Sequence, residues 1–184
     1  MSRTLRPIPW LVAVLAACLC APASALAVSS NGGASPDDAQ LKAPKKAKLT
    51  SAGKVVPPAG APQAVVRAID AGNRISNKPY VYGGGHANFA IDDGYDCSGA
   101  ISYLLEAAKP SLLETPLDAV ALQSKGEPGK GKWITWYGNS GHGFIVVAGI
   151  RFDTGYNNSS SSGPRWSTQM RPTESFSRRH IAGL

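Results

Sequence analysis

Beyond its first 20 residues this 184-residue chain has one cysteine, Cys97, so no disulfide can form within that part of it. A thiol left alone in this way is better explained by chemistry than by a structural bridge. Acidic residues are scarce, 12 Asp and Glu against 19 Lys and Arg, which leaves a net charge of +7. After residue 27 no apolar run approaches the roughly 20 residues that cross a bilayer as a helix. No repeat period is visible. From residue 28 to 58 there is no aromatic side chain. Ser, Gly, Ala, Pro and Lys dominate that stretch, and such a composition buries too little surface to offset the entropy of ordering it. A disordered basic linker is therefore expected over 28–58, with Lys42, Lys45, Lys46, Lys48 and Lys54 against Asp37 and Asp38.

What is present begins with an address. Arg3 and Arg6 precede an apolar stretch over 8–19, and the small residues Ala23-Ser24-Ala25 and Ala25-Leu26-Ala27 follow it. This pattern reads as a signal peptide over 1–27, lost on export together with Cys18 and Cys20. The alternative is a lipoprotein-type site at Leu15-Ala16-Ala17-Cys18, with Cys18 acylated. Without that anchor no stable membrane insertion is expected after cleavage. The basic linker suits an anionic surface such as a cell wall, a membrane or nucleic acid, or is only a solvated tether.

An α+β domain is expected over 59–184. Apolar residues at helical spacing predict a helix over 62–71, stopped near Gly72-Asn73. After the turn Gly83-Gly84-Gly85, Asp96 is a plausible N-cap for a second helix running from Cys97 to Lys109, where Pro110 ends it. Three strands are predicted over 133–137, 142–148 and 150–154. If Ala148-Gly149 is a two-residue turn, paired positions sum to 297 and His142 and Asp153 become diagonal neighbours on one face; a turn at Gly149-Ile150 instead changes the sum to 299 and keeps that parity. Cys97 in the first turn of its helix sits where orphan N–H groups and the dipole favour a thiolate. An imidazole at His142 would serve as its base, and Asp153 would hold the ring.

Other readings compete. His86, Cys97 and His142 with a water form a catalytic zinc pattern, although no fourth ligand stands at recognisable spacing. A wall-binding module without catalysis is a third class. His86 reads as a loop residue and His180 as structural. Trp133, Trp136 and Tyr137 read as core or interface, and Tyr82 as packing beneath the glycines.

Tyr80-Val81-Tyr82-Gly83-Gly84, Asp96-Cys97-Ser98-Gly99 and Gly141-His142 together resemble the NlpC-type cysteine peptidases, papain-like enzymes of bacterial cell walls. The resemblance covers roughly residues 62–154. It implies a papain-like α+β fold with a catalytic Cys at a helix start, packed on a small antiparallel sheet carrying the catalytic His. It further implies Cys97 as nucleophile, His142 as general base, Tyr80 as an oxyanion donor, and Asp96 and Ser98 as substrate contacts. The family's third residue is His, Asn or Gln about a dozen positions after the catalytic His. Asp153 stands eleven positions on, with Asn157 as fallback. The implied activity is hydrolysis of peptidoglycan stem peptides, at the γ-D-glutamyl to diamino acid bond, by a secreted or periplasmic wall-associated enzyme. No metal or organic cofactor and no nucleic acid is implied, and the linker would meet anionic wall polymers. Two segments depart from the pattern: the insert over 86–94, and residues 155–184, where a Ser-rich loop precedes a return of Pro164-Arg165-Trp166 onto the domain.

Overall fold

A computed structural model describes residues 46–155 and 163–184. The expected signal peptide, residues 28–45 of the expected linker, and Asn157 with most of its Ser-rich loop lie outside the described residues.

Helix α1, Gln63–Ile75, buries Val65, Ala68, Ile69, Gly72 and Ile75, the i, i+3, i+4 spacing that gives a helix one apolar face. It passes through the expected stop. Gly72 serves close packing instead of termination, because a Cβ there would lie 2.3 Å from Cζ2 of Trp166. Its neighbour Asn73 clasps two other segments. Asn73 Oδ1 accepts from the Val55 N–H at 2.9 Å and from Trp166 Nε1 at 3.1 Å, while Nδ2 donates to the Val55 carbonyl at 2.8 Å.

Val55 belongs to a hairpin inside the expected linker. Strand β1, Lys48–Leu49, pairs antiparallel with β2, Val55–Val56. Ala47 and Val55 are buried, and the Ala47 N–H donates to the Ala148 carbonyl at 2.9 Å. The linker boundary at 58 is therefore corrected: residues 46–58 are part of the folded domain. The composition argument fails here because the ordering is offset by partners elsewhere, Asn73 and Ala148, which a segment's own residues do not announce.

The main sheet is built around the predicted meander. Strands β4, Ile134–Gly138, β5, Gly143–Val147, and β6, Ile150–Asp153, are antiparallel neighbours. Val147 faces Ile150 and Ile145 faces Phe152, the register of a two-residue turn at Ala148-Gly149. Both turn residues have positive φ, 47° and 79°, as a type I′ turn requires. Strand β7, Arg165–Ser167, adds beside β6, so the expected return of Trp166 is real. On the other side β3, Glu127–Pro128, and β8, Ser177–His180, complete the order β3-β8-β4-β5-β6-β7 among the described residues.

Helix α2, Cys97–Ala108, lies with α1 against one face of this sheet. Ile134, Trp136, Ile145, Val147 and Phe152 join Ile69, Ile101, Leu104 and Leu105 in one core. Burial of each such side chain stabilises by about 1.5–3 kcal/mol. The opposite face shows Thr135, Tyr137, Phe144, Arg151 and Asp153, with the rings of Tyr137 and Phe144 stacked at 4.5 Å. A helix that begins at Cys97, packed on an antiparallel sheet, is the α+β arrangement that the NlpC resemblance implies.

Candidate active site

Cys97 is the first residue of α2, and Asp96 caps the helix by accepting from the Gly99 N–H at 2.8 Å. The glycines fix how the approaching chain meets that cap. A Cβ on Gly99 would fall 2.2 Å from the Gly84 carbonyl oxygen, so the Gly83-Gly84-Gly85 turn rests directly on the helix start. The Asp96 N–H in turn donates to Gly84 O at 3.1 Å.

His142 enters from the loop between β4 and β5. Asn139 closes that loop: its Oδ1 accepts from the N–H groups of Gly141 at 3.0 Å and His142 at 2.9 Å, and its own N–H donates to His142 O at 3.0 Å. The ring then meets Asp153 on the adjacent strand, Nε2 to Oδ1, at 2.8 Å. The diagonal relation expected from the hairpin register is realised. With Nε2 on Asp153, Nδ1 is the ring nitrogen left free on the side of Cys97, whose thiolate the nearby His142 favours.

The Asp153 carboxylate is fully buried and has four partners. Besides His142, Oδ1 accepts from the Gly155 N–H at 2.7 Å. Oδ2 lies 3.1 Å from Nη1 of Arg171 and 3.4 Å from Nε of Arg151. Burial pushes this carboxyl up, but the bonds from His142 and Gly155 and the positive charges of His142 and Arg151 outweigh it and hold it below its ordinary value. For His142 burial disfavours the charged ring, yet the bonds to Asp153 and Cys97 raise its pKa to about 9. Burial likewise opposes the Cys97 thiolate, and the bonds from His142 and the Gly143 N–H prevail, so the thiol is lowered. The three directions agree in sense: each favours the charged form, thiolate at Cys97, imidazolium at His142 and carboxylate at Asp153.

A cleft of about 330 Å³ opens over Cys97, with Tyr80, Tyr82, His86, Asp118, Val120 and Ser140 in its walls. Tyr80 is held beside it by a bridge to Tyr95. Burial first, then the charges of Cys97 and Asp96, raise the Tyr80 pKa, which keeps its hydroxyl a proton donor. Tyr82 does not pack beneath the glycines as expected: it is 91% exposed at the cleft rim.

Asp96 and Ser98 also line the cleft but are buried and bonded inward. Asp96 Oδ1 accepts from Nε2 of His86 at 2.9 Å and from Ser98 Oγ at 3.2 Å, and Oδ2 accepts from the Gly83 N–H at 3.1 Å. His86, read as a loop residue, is thus a wall of the cleft and ties the insert to the cap of α2. With His86 on Asp96 and His142 on Asp153, the zinc pattern has no support in the geometry. Among the described residues no three His, Cys, Asp or Glu side chains converge as a metal ion requires.

Sequence reasoning brought together Cys97, His142, Asp153 and Tyr80, and missed Asn139, Arg151, Arg171 and His86. Arg151 was within reach of the same register argument, since it stands two positions from Asp153 on β6 and shares its face. Trp136 and Tyr137 are buried as expected, and His180 is a strand residue of β8.

No protein-family profile matches the chain, and no curated protein does. Among solved structures it is similar to the P60 domain of M. avium subspecies paratuberculosis antigen MAP1204, with 18% identity and a TM-score of 0.45 over 64% of this chain and 94% of that one. It is also similar to Rv1477, described as a hypothetical invasion protein of Mycobacterium tuberculosis, with 20% identity and a TM-score of 0.46 over 76% of this chain and 70% of the other.

Proposed function

We propose that this chain is an exported peptidoglycan hydrolase, a cysteine endopeptidase that cuts stem-peptide amide bonds, with the γ-D-glutamyl to diamino acid bond as its target. One observation carries the reading. The buried Asp153 holds the His142 ring at 2.8 Å, and that ring lies close enough to a cysteine at a helix start to favour its thiolate, which is the order of an orienter, a base and a nucleophile.

In this mechanism the Cys97 thiolate attacks the amide carbonyl carbon. Negative charge grows on the carbonyl oxygen, where the Cys97 N–H, an orphan donor of the first helical turn, and the Tyr80 hydroxyl receive it. Each such donor is worth about 3 kcal/mol in the transition state. The His142 imidazolium gives its proton to the departing amine, and the C–N bond breaks to leave a thioester on Cys97. His142 then takes a proton from water, the hydroxide adds to the thioester, and Cys97 leaves as thiolate. Asp153 keeps the ring in one orientation throughout, and Arg151 and Arg171 keep Asp153 ionised.

The test is the release of soluble peptide fragments from purified peptidoglycan. Cys97→Ala is expected to abolish it while the far-UV circular dichroism of the protein stays unchanged. More than trace release by a folded Cys97→Ala protein would sink the proposal.

A further inference from the structure

Between β7 and β8 the chain runs back to the site as a strap, and it is tied down where it arrives. Ser177 pairs with Gly138 in the sheet register, and its Oγ donates to the Gly138 carbonyl at 2.9 Å. Just before it, the Ser175 carbonyl accepts from Asn139 Nδ2 at 3.4 Å. Asn139 is the residue whose Oδ1 holds the His142 N–H, so one side chain anchors both the strap and the loop that carries the imidazole.

The strap brings two side chains to that imidazole. Phe176 stands edge-on to the His142 ring, with centroids 6.5 Å apart and planes at 79°, and meets Phe144 in the same way at 5.2 Å. Arg171 lies in the corner the two phenyl rings form, its guanidinium carbon 5.6 Å from the centroid of each. Rings at that distance attract a cation and hold a long side chain that would otherwise turn freely. From there Nη1 reaches Asp153 Oδ2 at 3.1 Å, while His142 Nε2 lies 2.8 Å from Oδ1. Guanidinium and imidazole thus share one carboxylate, and both come up against Gly155. A Cβ on that glycine would lie 3.0 Å from Arg171 Nη1 and 3.1 Å from His142 Nε2.

Charge gives this contact a direction. The titratable and charged groups facing the His142 ring are Cys97 from α2, Asp153 and Arg151 from β6, and Arg171 from the strap, whose Glu174 is exposed. Asp153 and the Cys97 thiolate stabilise the protonated ring, whereas Arg171 takes up part of the carboxylate's charge and repels the imidazolium. Without that opposition the ring would keep its proton too firmly to give it to a leaving amine.

The geometry points to Arg171 as a positioning residue, clamped by Phe144 and Phe176 so that it fixes Asp153 and tempers the hold of that carboxylate on the His142 proton. Its consequence for turnover rests on the hydrolase reading; its effect on the ring does not.

The test follows the His142 ring by NMR in the full mature chain from about pH 6 to 11, the signal being assigned by its loss in His142→Gln, and separately measures cleavage of a small soluble stem peptide. The midpoint belongs to the coupled pair of His142 and Cys97. Arg171→Met keeps a stem in the corner and removes the charge. It is expected to raise the midpoint by about half a unit or more, and to lower kcat about fivefold while KM stays within about twofold. Arg171→Lys returns the charge, so its midpoint is expected back near that of the parent protein. Phe176→Ala opens the corner and is expected to raise the midpoint as well, and Phe176→Leu to restore it. A midpoint that stays or falls in an Arg171→Met protein with the parent Tm overturns the proposal, as does an equal rise in Arg171→Lys. Should Arg171→Met not fold, the two Phe176 variants decide the question, and equal midpoints in them overturn it. A raised midpoint in a chain that cleaves no stem peptide supports the role of Arg171 and removes only the hydrolase reading.

Discussion

Asp153 shows how much of the site depends on one buried carboxylate. Its two oxygens serve His142, Gly155, Arg151 and Arg171 together. Asp153→Ala is expected to lower kcat tenfold or more with little change in KM, since the group acts on the ring in the transition state. Asp153→Asn should be milder, because an amide oxygen still accepts from the ring. The pH profile provides a second readout. In the parent protein the alkaline limb of kcat/KM is expected near 9, where the coupled pair loses the imidazolium proton that the leaving amine needs. Removing Asp153 removes an upward pull on His142, so the limb should move to lower pH. A limb that stays in place would mean that Asp153 does not orient the base. At this scale Cys97 and His142 were legible in the sequence because their neighbours are local: the cap, the glycines and the strand behind His142. Asp153 was legible through register arithmetic alone. Arg171 was not, because it reaches Asp153 from 18 positions away through a segment with no pattern of its own.

Elements were legible in proportion to their length and their locality. Both helices and the three-strand meander carry their own periodicity and turn chemistry. The strands β1, β2, β3, β7 and β8 have two to four residues each and exist only through distant partners. Gly72 misled for a related reason, since a glycine near the end of an apolar pattern has the form of a stop signal while its cause, the Trp166 ring, lies far along the chain. Gly72→Ala tests this. Helix propensity alone would make alanine about 1 kcal/mol better. The clash with Trp166 predicts instead a net loss of about 1–3 kcal/mol, read as a lower midpoint in urea unfolding. A stabilised variant would mean that the Trp166 ring yields to the added methyl group and that Gly72 is not there for close packing.

For the whole molecule the question is where the domain begins. A chain starting at residue 46 is expected to unfold at the same temperature as one starting at residue 28. A chain starting at 59 loses the burial of Ala47 and Val55 and the bonds that Asn73 makes to Val55. These sum to about 3–5 kcal/mol, or a Tm lower by about 10 °C, in differential scanning calorimetry. Equal Tm values for the chains starting at 46 and at 59 would restore the linker as first read. The same topology has a consequence for timing. Strand β8 sits between β3 and β4, and Arg171 reaches Asp153 from the segment just before it. A nascent chain that has emerged only as far as residue 160 already holds Cys97, His142 and Asp153, yet lacks the strand beside β4 and one of the two cations on the carboxylate. The row from Cys97 to Asp153 is thus complete in sequence before it is complete in structure, and its surroundings are finished only when the last-made strand joins the sheet.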